Sequence, residues 1–178
     1  MSVDVVYYVA CSLDGYIATT EGGVEWLSAF QGPGEDYGFA EFNKSVEALL
    51  MGSHTYEFAL KQPAWPAPDT PSWVFTKRSL PTAHRSVTLT SDDPSAVVAE
   101  LETRGLRRAW LMGGAALAGS FQSRRLISEY LISVMPIVLG EGIPLFTGTS
   151  DPHALELTRT KHYTSGIVQL SYEPKSAS

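Results

Sequence analysis

The sequence predicts a three-layer α/β fold: a doubly wound mixed sheet with helices on both faces and antiparallel strands at its C-terminal side. Three observations carry this. Short β-branched and aromatic runs alternate with segments of helical spacing through the first two thirds of the chain, the pattern of parallel strands joined by helical crossovers. Several of those runs are apolar without alternation, as strands covered on both faces are. Beyond Leu126 the helical spacing gives way to extended segments parted by Gly- and Pro-rich turns. With 178 residues, 44% of them hydrophobic and 18% charged, a single domain over residues 1–174 is expected, followed by a frayed tail at 175–178.

The run Val3 to Cys11 reads as a strand buried on both faces. Asp14-Gly15 then turns the chain, and Glu21-Gly22-Gly23 and Gly32-Pro33-Gly34 bound a long irregular loop around Trp26 and Leu27. Phe39, Asn43, Val46 and Leu49 stand at helical spacing, which predicts a helix over 35–48 feeding a short strand, Ala48 to Gly52. Ser53 is a candidate cap for a second helix running to Leu60, closed off by Pro63, Pro66 and Pro68. Trp73 to Thr76 and Ser86 to Thr90 are the next strands. Asp93-Pro94 opens a helix that runs to Arg104 and ends at Gly105. Arg108 to Met112 repeats the strand, Gly113-Gly114 breaks it, and Ala115 to Gln122 is a short helix. Tyr130 to Leu139, Leu155 to Tyr163 and Ile167 to Tyr172 are the extended segments of an antiparallel C-terminal third.

Composition narrows the function. Lys and Arg number 13 against 19 Asp and Glu, so the net charge of -6 offers no global attraction for nucleic acid or an anionic membrane, and any anionic ligand needs local donors. Asp4 stands where a signal peptide carries basic residues, and no segment approaches the roughly 18 apolar residues that span a bilayer. A soluble, cytoplasmic protein is expected. The single cysteine, Cys11, lies within an apolar strand, which suits a buried hydrophobe better than a thiolate nucleophile. Four histidines without an i, i+4 pair, and one cysteine, make no metal site.

Ligands of open α/β sheets bind beyond the carboxyl ends of the strands, and three of those ends share a theme. Gly52-Ser53-His54-Thr55 opens a helix with backbone amides, two hydroxyls and an imidazole. Thr76-Lys77-Arg78 places two adjacent cations in a chain that has few. Gly113-Gly114-Ala115-Ala116 opens a helix with no Ser, Asp or Asn to cap it. Amides without partners at a helix start bind anions by geometry and dipole. Taken singly, each has an ordinary structural explanation in a turn, a solvated loop or a cap. Together they suit a ligand with several separated phosphates. G-x-G-x-x-G does not follow the first strand, and neither G-x-x-x-x-G-K-[ST] nor G-x-S-x-G is present, which removes the usual dinucleotide, P-loop and serine-hydrolase readings.

The segments Ala10 to Ala18 (ACSLDGYIA), Leu50 to Glu57 (LMGSHTYE), Trp73 to Lys77 (WVFTK), Leu111 to Gly114 (LMGG) and Pro136 to Phe146 (PIVLGEGIPLF) occur in this order along almost the whole chain. The sequence thereby resembles the dihydrofolate reductase superfamily, and more closely the C-terminal reductase domain of the bifunctional riboflavin biosynthesis deaminase-reductase. The resemblance implies a dihydrofolate reductase-like sheet and NADPH as hydride donor. It further implies that Gly52, Ser53, His54 and Thr55 cradle the pyrophosphate and that Thr76, Lys77 and Arg78 take the 2′-phosphate. Gly113, Gly114, Ala115 and Ala116 would complete the cradle beside Met112, a cis peptide would join the two glycines, and Ala10, Ile17 and Ala18 would flank the nicotinamide. Ser53 departs from the family's usual Arg, Ser128-Glu129 from its Asp-Glu, and Glu141 from its Gly. No H-x-E followed by P-C-x-x-C is present, so no deaminase is expected in this chain.

Hydride addition to a C=N or carbonyl carbon needs a proton source near the acceptor, which makes Asp36 and Asp14 the candidate catalytic acids. Asp36 precedes Gly52 by sixteen residues, the spacing of the acidic substrate-binding residue in folate reductases. It can equally be a charge at a helix start, and Asp14 a turn residue. Tyr16 and Trp26 are candidate walls of the substrate side. The expected activity is hydride transfer to a pyrimidine- or pterin-like heterocycle, a small-molecule substrate. The alternative is a nucleotide-binding or regulatory protein that keeps the fold without turnover. A homodimer is expected because the apolar segment Ile132 to Phe146 leaves an edge to be covered.

Overall fold

The computed structural model describes residues 2–148 and 151–175, so the expected tail beyond Lys175 lies outside the described residues. The first strand, β1 (Asp4–Ser12), runs through the interior with Val5, Val6 and Tyr7 wholly enclosed. Two short strands that the sequence reading does not anticipate, β2 (Tyr16–Ala18) and β8 (Ile143–Pro144), pair antiparallel as a separate ribbon. The loop around Trp26 contains a 3-10 helix, Glu25–Phe30.

The first helix is shorter than its spacing suggests. Tyr37 and Gly38 take left-handed backbone angles, φ 55° and 79°, so α1 (Phe39–Ser45) starts only after them, and Val46 turns extended toward β3 (Ala48–Gly52). Ser53 is the first residue of α2 (Ser53–Leu60) rather than its cap; Gly52 holds the cap position with no side-chain bond. β4 (Ser72–Phe75), β5 (Val87–Thr90) and α3 (Pro94–Thr103) follow. The Asp93 side chain caps α3 by accepting from Ser95 N. Then come β6 (Arg108–Gly113), α4 (Ala115–Ser123) and β7 (Glu129–Met135), which stops one residue short of Pro136 instead of reaching Leu139. β9 (Leu155–His162) and β10 (Val168–Pro174) complete the sheet.

The strand order is β5-β4-β3-β6-β1-β7-β10-β9. The six strands from β5 to β7 are mutually parallel, and only β10 against β7 and β9 against β10 are antiparallel. The C-terminal third is therefore not antiparallel throughout: α4 carries the chain across the sheet, and a helical crossover returns β7 parallel to β1.

Alternate residues serve opposite faces. Val5, Tyr7, Leu50, Trp73 and Leu111 pack with Val97 and Leu101 of α3 and with Ala118 and Phe121 of α4. Leu49, Met51 and Val74 pack with Tyr56 of α2, and Val6 and Leu131 with Phe42 of α1. Helices thus cover both faces, which explains why these strands read as continuous apolar runs. Each enclosed Leu or Phe removes enough apolar surface from water to stabilise the fold by roughly 1.5–3 kcal/mol. Cys11 lies in this interior at 3% exposure, and burial pushes its thiol up to about 11. Among the described residues no helix is long and apolar enough to cross a membrane.

Candidate functional site

Because β5, β4, β3, β6 and β1 are adjacent and parallel, their carboxyl ends share one edge. A cavity of about 830 Å³ follows that edge. Four strand spacings of ~4.8 Å give it a span of roughly 19 Å. Its wall includes Ala10 at the end of β1, Ile17 and Ala18 of β2, and Gly52, Ser53, His54 and Thr55 at the start of α2. It also includes Thr76, Lys77 and Arg78 after β4, and Met112, Gly114, Ala115 and Ala116 where β6 passes into α4. Segments more than a hundred residues apart in sequence meet here.

The centre of the edge is made of backbone. Gly113-Gly114 is a cis peptide, in the form the resemblance implies. The ladder between β3 and β6 shifts register between Leu50 and Met51, so that Met51 stands opposite Gly113. A Cβ on Gly52 would lie 3.7 Å from both Gly113 O and Gly114 N, so the starts of α2 and α4 come together from opposite faces of the sheet. Neither helix has a side-chain cap, and residues of both first turns line the cavity.

The two ends differ. Toward β1, Val9, Ala10, Ile17, Ala18, Val24, Leu27 and Ile143 make an apolar wall. Toward β5 stand Lys77 and Arg78, with Thr90, Ser91 and Asp92 beyond them. Arg78 forms a two-pronged ion pair with Glu57 of α2, Nη1 to Oε1 at 3.1 Å and Nη2 to Oε2 at 2.7 Å. The hydrogen bond from Arg78 holds the Glu57 carboxyl below its ordinary range, and Glu57 raises the guanidinium in turn.

Of the expected site residues, Gly113 is not itself on the cavity wall but joins its neighbours Met112 and Gly114 there, and Asp14, Tyr16, Trp26 and Asp36 are not on that wall either. Asp36 sits ahead of α1, and its carboxylate accepts from the amides of Gly38 and Ala40, each at 3.0 Å. These two bonds hold its pKa below the ordinary carboxylate range, that of Ala40 contributing most. It is a charge ahead of a helix start and is not on the wall of this cavity. Asp14 accepts from Leu139 N at 3.0 Å and Gly140 N at 2.7 Å, tying the turn after β1 to the chain beyond β7. Its pKa is also lowered, first by Ser12 and then by those amides. Tyr16 pairs through its backbone with Pro144, and the Trp26 indole N–H is enclosed without a partner. Both aspartates are depressed in the folded state. The stability they contribute is therefore present above the ordinary carboxylate pKa of about 4 and lost as pH falls through the lowered values. Asp14→Asn and Asp36→Asn keep an acceptor but do not titrate, so acid unfolding followed by circular dichroism is expected to show a shallower loss of stability below about pH 4 in the double variant.

Other wall residues had no place in the sequence reading. Thr90, Ser91 and Asp92 follow β5, and the rule that located the other three strand ends would have found them. Phe58, Phe75, Leu117 and Ser120 lie within the α/β elements, and Val24, Leu27 of the 3-10 helix, Ile143 of β8 and Thr147 come from segments that only the folded chain brings to this edge.

The comparisons agree with this architecture. A protein of Bacillus subtilis, uncharacterized protein YwjB, is 36% identical over 168 residues, covering 94% of this chain and 95% of its own length. A second from that organism, YyaP, is 28% identical over 94% of this chain and 93% of its own. The crystal structure of a protein of Shewanella sp. PV-4, described as a candidate riboflavin biosynthesis protein, superposes with a TM-score of 0.88 at 27% identity, covering 99% of this chain and 100% of that one. The diaminohydroxyphosphoribosylaminopyrimidine deaminase/5-amino-6-(5-phosphoribosylamino)uracil reductase of Thermotoga maritima shares the fold, with a TM-score of 0.75 at 16% identity over 98% of this chain and 57% of its own. Residues 4–169 match the family described as RibD C-terminal domain, and the chain belongs to that family.

Proposed function

We propose that the protein is an NADPH-dependent reductase that transfers a hydride to a pyrimidine- or pterin-like heterocycle, of the kind the Thermotoga relative's reductase is named for. The observation that carries this is the single cavity joining an apolar wall, two uncapped helix starts and a cationic end along one sheet edge. The donor set fits a dinucleotide. The amides of Gly52 to Thr55 and of Gly114 to Ala116 suit a pyrophosphate, Lys77 and Arg78 suit a 2′-phosphate, and Ala10, Ile17 and Ala18 suit a flat ring that must stay dry. Bound NADPH supplies a hydride for an electrophilic carbon. The apolar wall around Ala10 excludes water from that carbon, and the backbone of Gly113-Gly114 allows close approach because no side chain stands in the way.

On this reading the proton reaches the substrate from solvent. The titratable groups on the wall, His54, Lys77, Arg78 and Asp92, all belong to the β3 to β5 half, and no carboxylate among the described residues lines the apolar end. The same observation favours a second reading, a homodimeric protein that binds the nucleotide without turning it over.

Fluorescence titration with NADPH and NADP decides the first point: saturable binding is expected, and none at millimolar cofactor would overturn both readings. Oxidation of NADPH with aminouracil ribosides or pterins supports the reductase. Binding without oxidation across that panel supports the second reading.

A further inference from the structure

The cationic end of the cavity is nearly neutral. Lys77 and Arg78 stand there with Asp92 on the same wall, and Glu57 reaches over from α2 to occupy both terminal nitrogens of Arg78. Lys77 has no ion-pair partner among the described residues. Side chains of the Arg78–Glu57 pair are 50% and 37% exposed, so both remain within reach of a ligand entering from solvent. A dianionic group arriving here meets one unshared cation, one guanidinium already held end-on by a carboxylate, and two negative charges close by. An arginine held in that way is a weaker phosphate donor than one that is unpaired.

We infer that Glu57 is a specificity-determining residue that competes with the cofactor's 2′-phosphate for Arg78 and narrows the protein's preference for NADPH over NADH. The inference rests on the proposed cofactor and concerns only the end of the site that distinguishes the two nucleotides. Glu57 lies one turn into α2, beyond the amides of Gly52 to Thr55, so its charge acts on the 2′-phosphate rather than on the pyrophosphate cradle.

Calorimetric titration of the whole protein with 2′,5′-ADP and with 5′-AMP isolates that end, because the two probes differ by the 2′-phosphate and neither carries a nicotinamide. Glu57→Gln and Glu57→Ala, each verified as folded by circular dichroism, remove the competing charge. Both are expected to tighten 2′,5′-ADP roughly tenfold and to leave 5′-AMP within about twofold, with the NADPH-to-NADH affinity ratio rising by the same factor. An unchanged ratio in both variants overturns the inference and leaves the cofactor reading standing. Weaker 2′,5′-ADP binding in both also overturns it, since Glu57 would then be positioning Arg78. Wild-type protein that binds none of these nucleotides at millimolar concentration overturns the inference together with the cofactor reading.

Discussion

Ala116→Asp is expected to abolish cofactor binding while leaving the fold intact. Ala116 is exposed in the first turn of α4 and lines the cavity where that helix meets the start of α2. A carboxylate in a first helical turn is favourable by roughly 0.3–1 kcal/mol, so the melting temperature should hold or rise slightly. The same carboxylate would face a pyrophosphate at contact distance. At an effective dielectric constant near 20, a unit charge about 5 Å from a single phosphate charge opposes binding by about 3 kcal/mol, which is already at least a hundredfold in affinity. Ala116→Ser, which adds an oxygen without charge, should stay within a few-fold of wild type. Titration of the three proteins with NADPH, alongside thermal unfolding, reads both quantities. Retention of wild-type affinity in the aspartate variant would place the pyrophosphate elsewhere.

Gly119→Ala tests the packing that supports the same helix. A Cβ at Gly119 would lie 1.7 Å from the carbonyl oxygen of Thr147 and 2.8 Å from its carbonyl carbon. The obstacle is backbone, so no rotamer relieves it. Either α4 retreats from the sheet or the segment around Thr147 moves, and overpacking of this kind costs about 2–3 kcal/mol. In a domain of this length that corresponds to a fall in melting temperature of about 5–10 °C. Thr147 also lines the cavity, and α4 presents its amides there, so cofactor affinity should fall as well. Saturating NADPH should restore part of the lost melting temperature, because a ligand that binds only the folded state shifts the unfolding equilibrium. An unaltered melting temperature would rule out the close approach.

Much of the cavity wall was legible because three of its segments are contiguous in sequence and follow strand ends. Gly52 to Thr55, Thr76 to Arg78 and Met112 to Ala116 each combine glycine, hydroxyl or cationic residues with the last residues of a strand, and a parallel sheet brings such ends to one edge. The surroundings of the two acids were not legible, for a corresponding reason. Asp36 and Asp14 are exposed carboxylates whose partners are backbone amides, in one case two and four residues away and in the other about 125 residues on. A side chain's letter does not reveal which amides will be left without partners when the backbone folds, and carboxylates go to such amides first. Glu57 is another case: nothing in Tyr56-Glu57-Phe58 distinguishes it from a solvated helix residue until α2 is laid beside the end of β4.

The sequence by itself determined the layer order, both helix-covered faces and the strand ends whose backbone lines the cavity. Those follow from local periodicity, from glycine and from proline, each of which acts over a few residues. Only the tertiary structure decided the parallel course of β7, the pairing of β2 with β8 and the apolar wall built from Val24, Leu27 and Ile143. It also decided that, of the two cations beyond β4, Arg78 is held by Glu57. Contacts between segments far apart in the chain depend on how strands and crossovers are stacked, which no local pattern encodes. In an acidic chain of net charge -6, the adjacent cations Lys77 and Arg78 and the two uncapped helix starts are therefore gathered at one sheet edge.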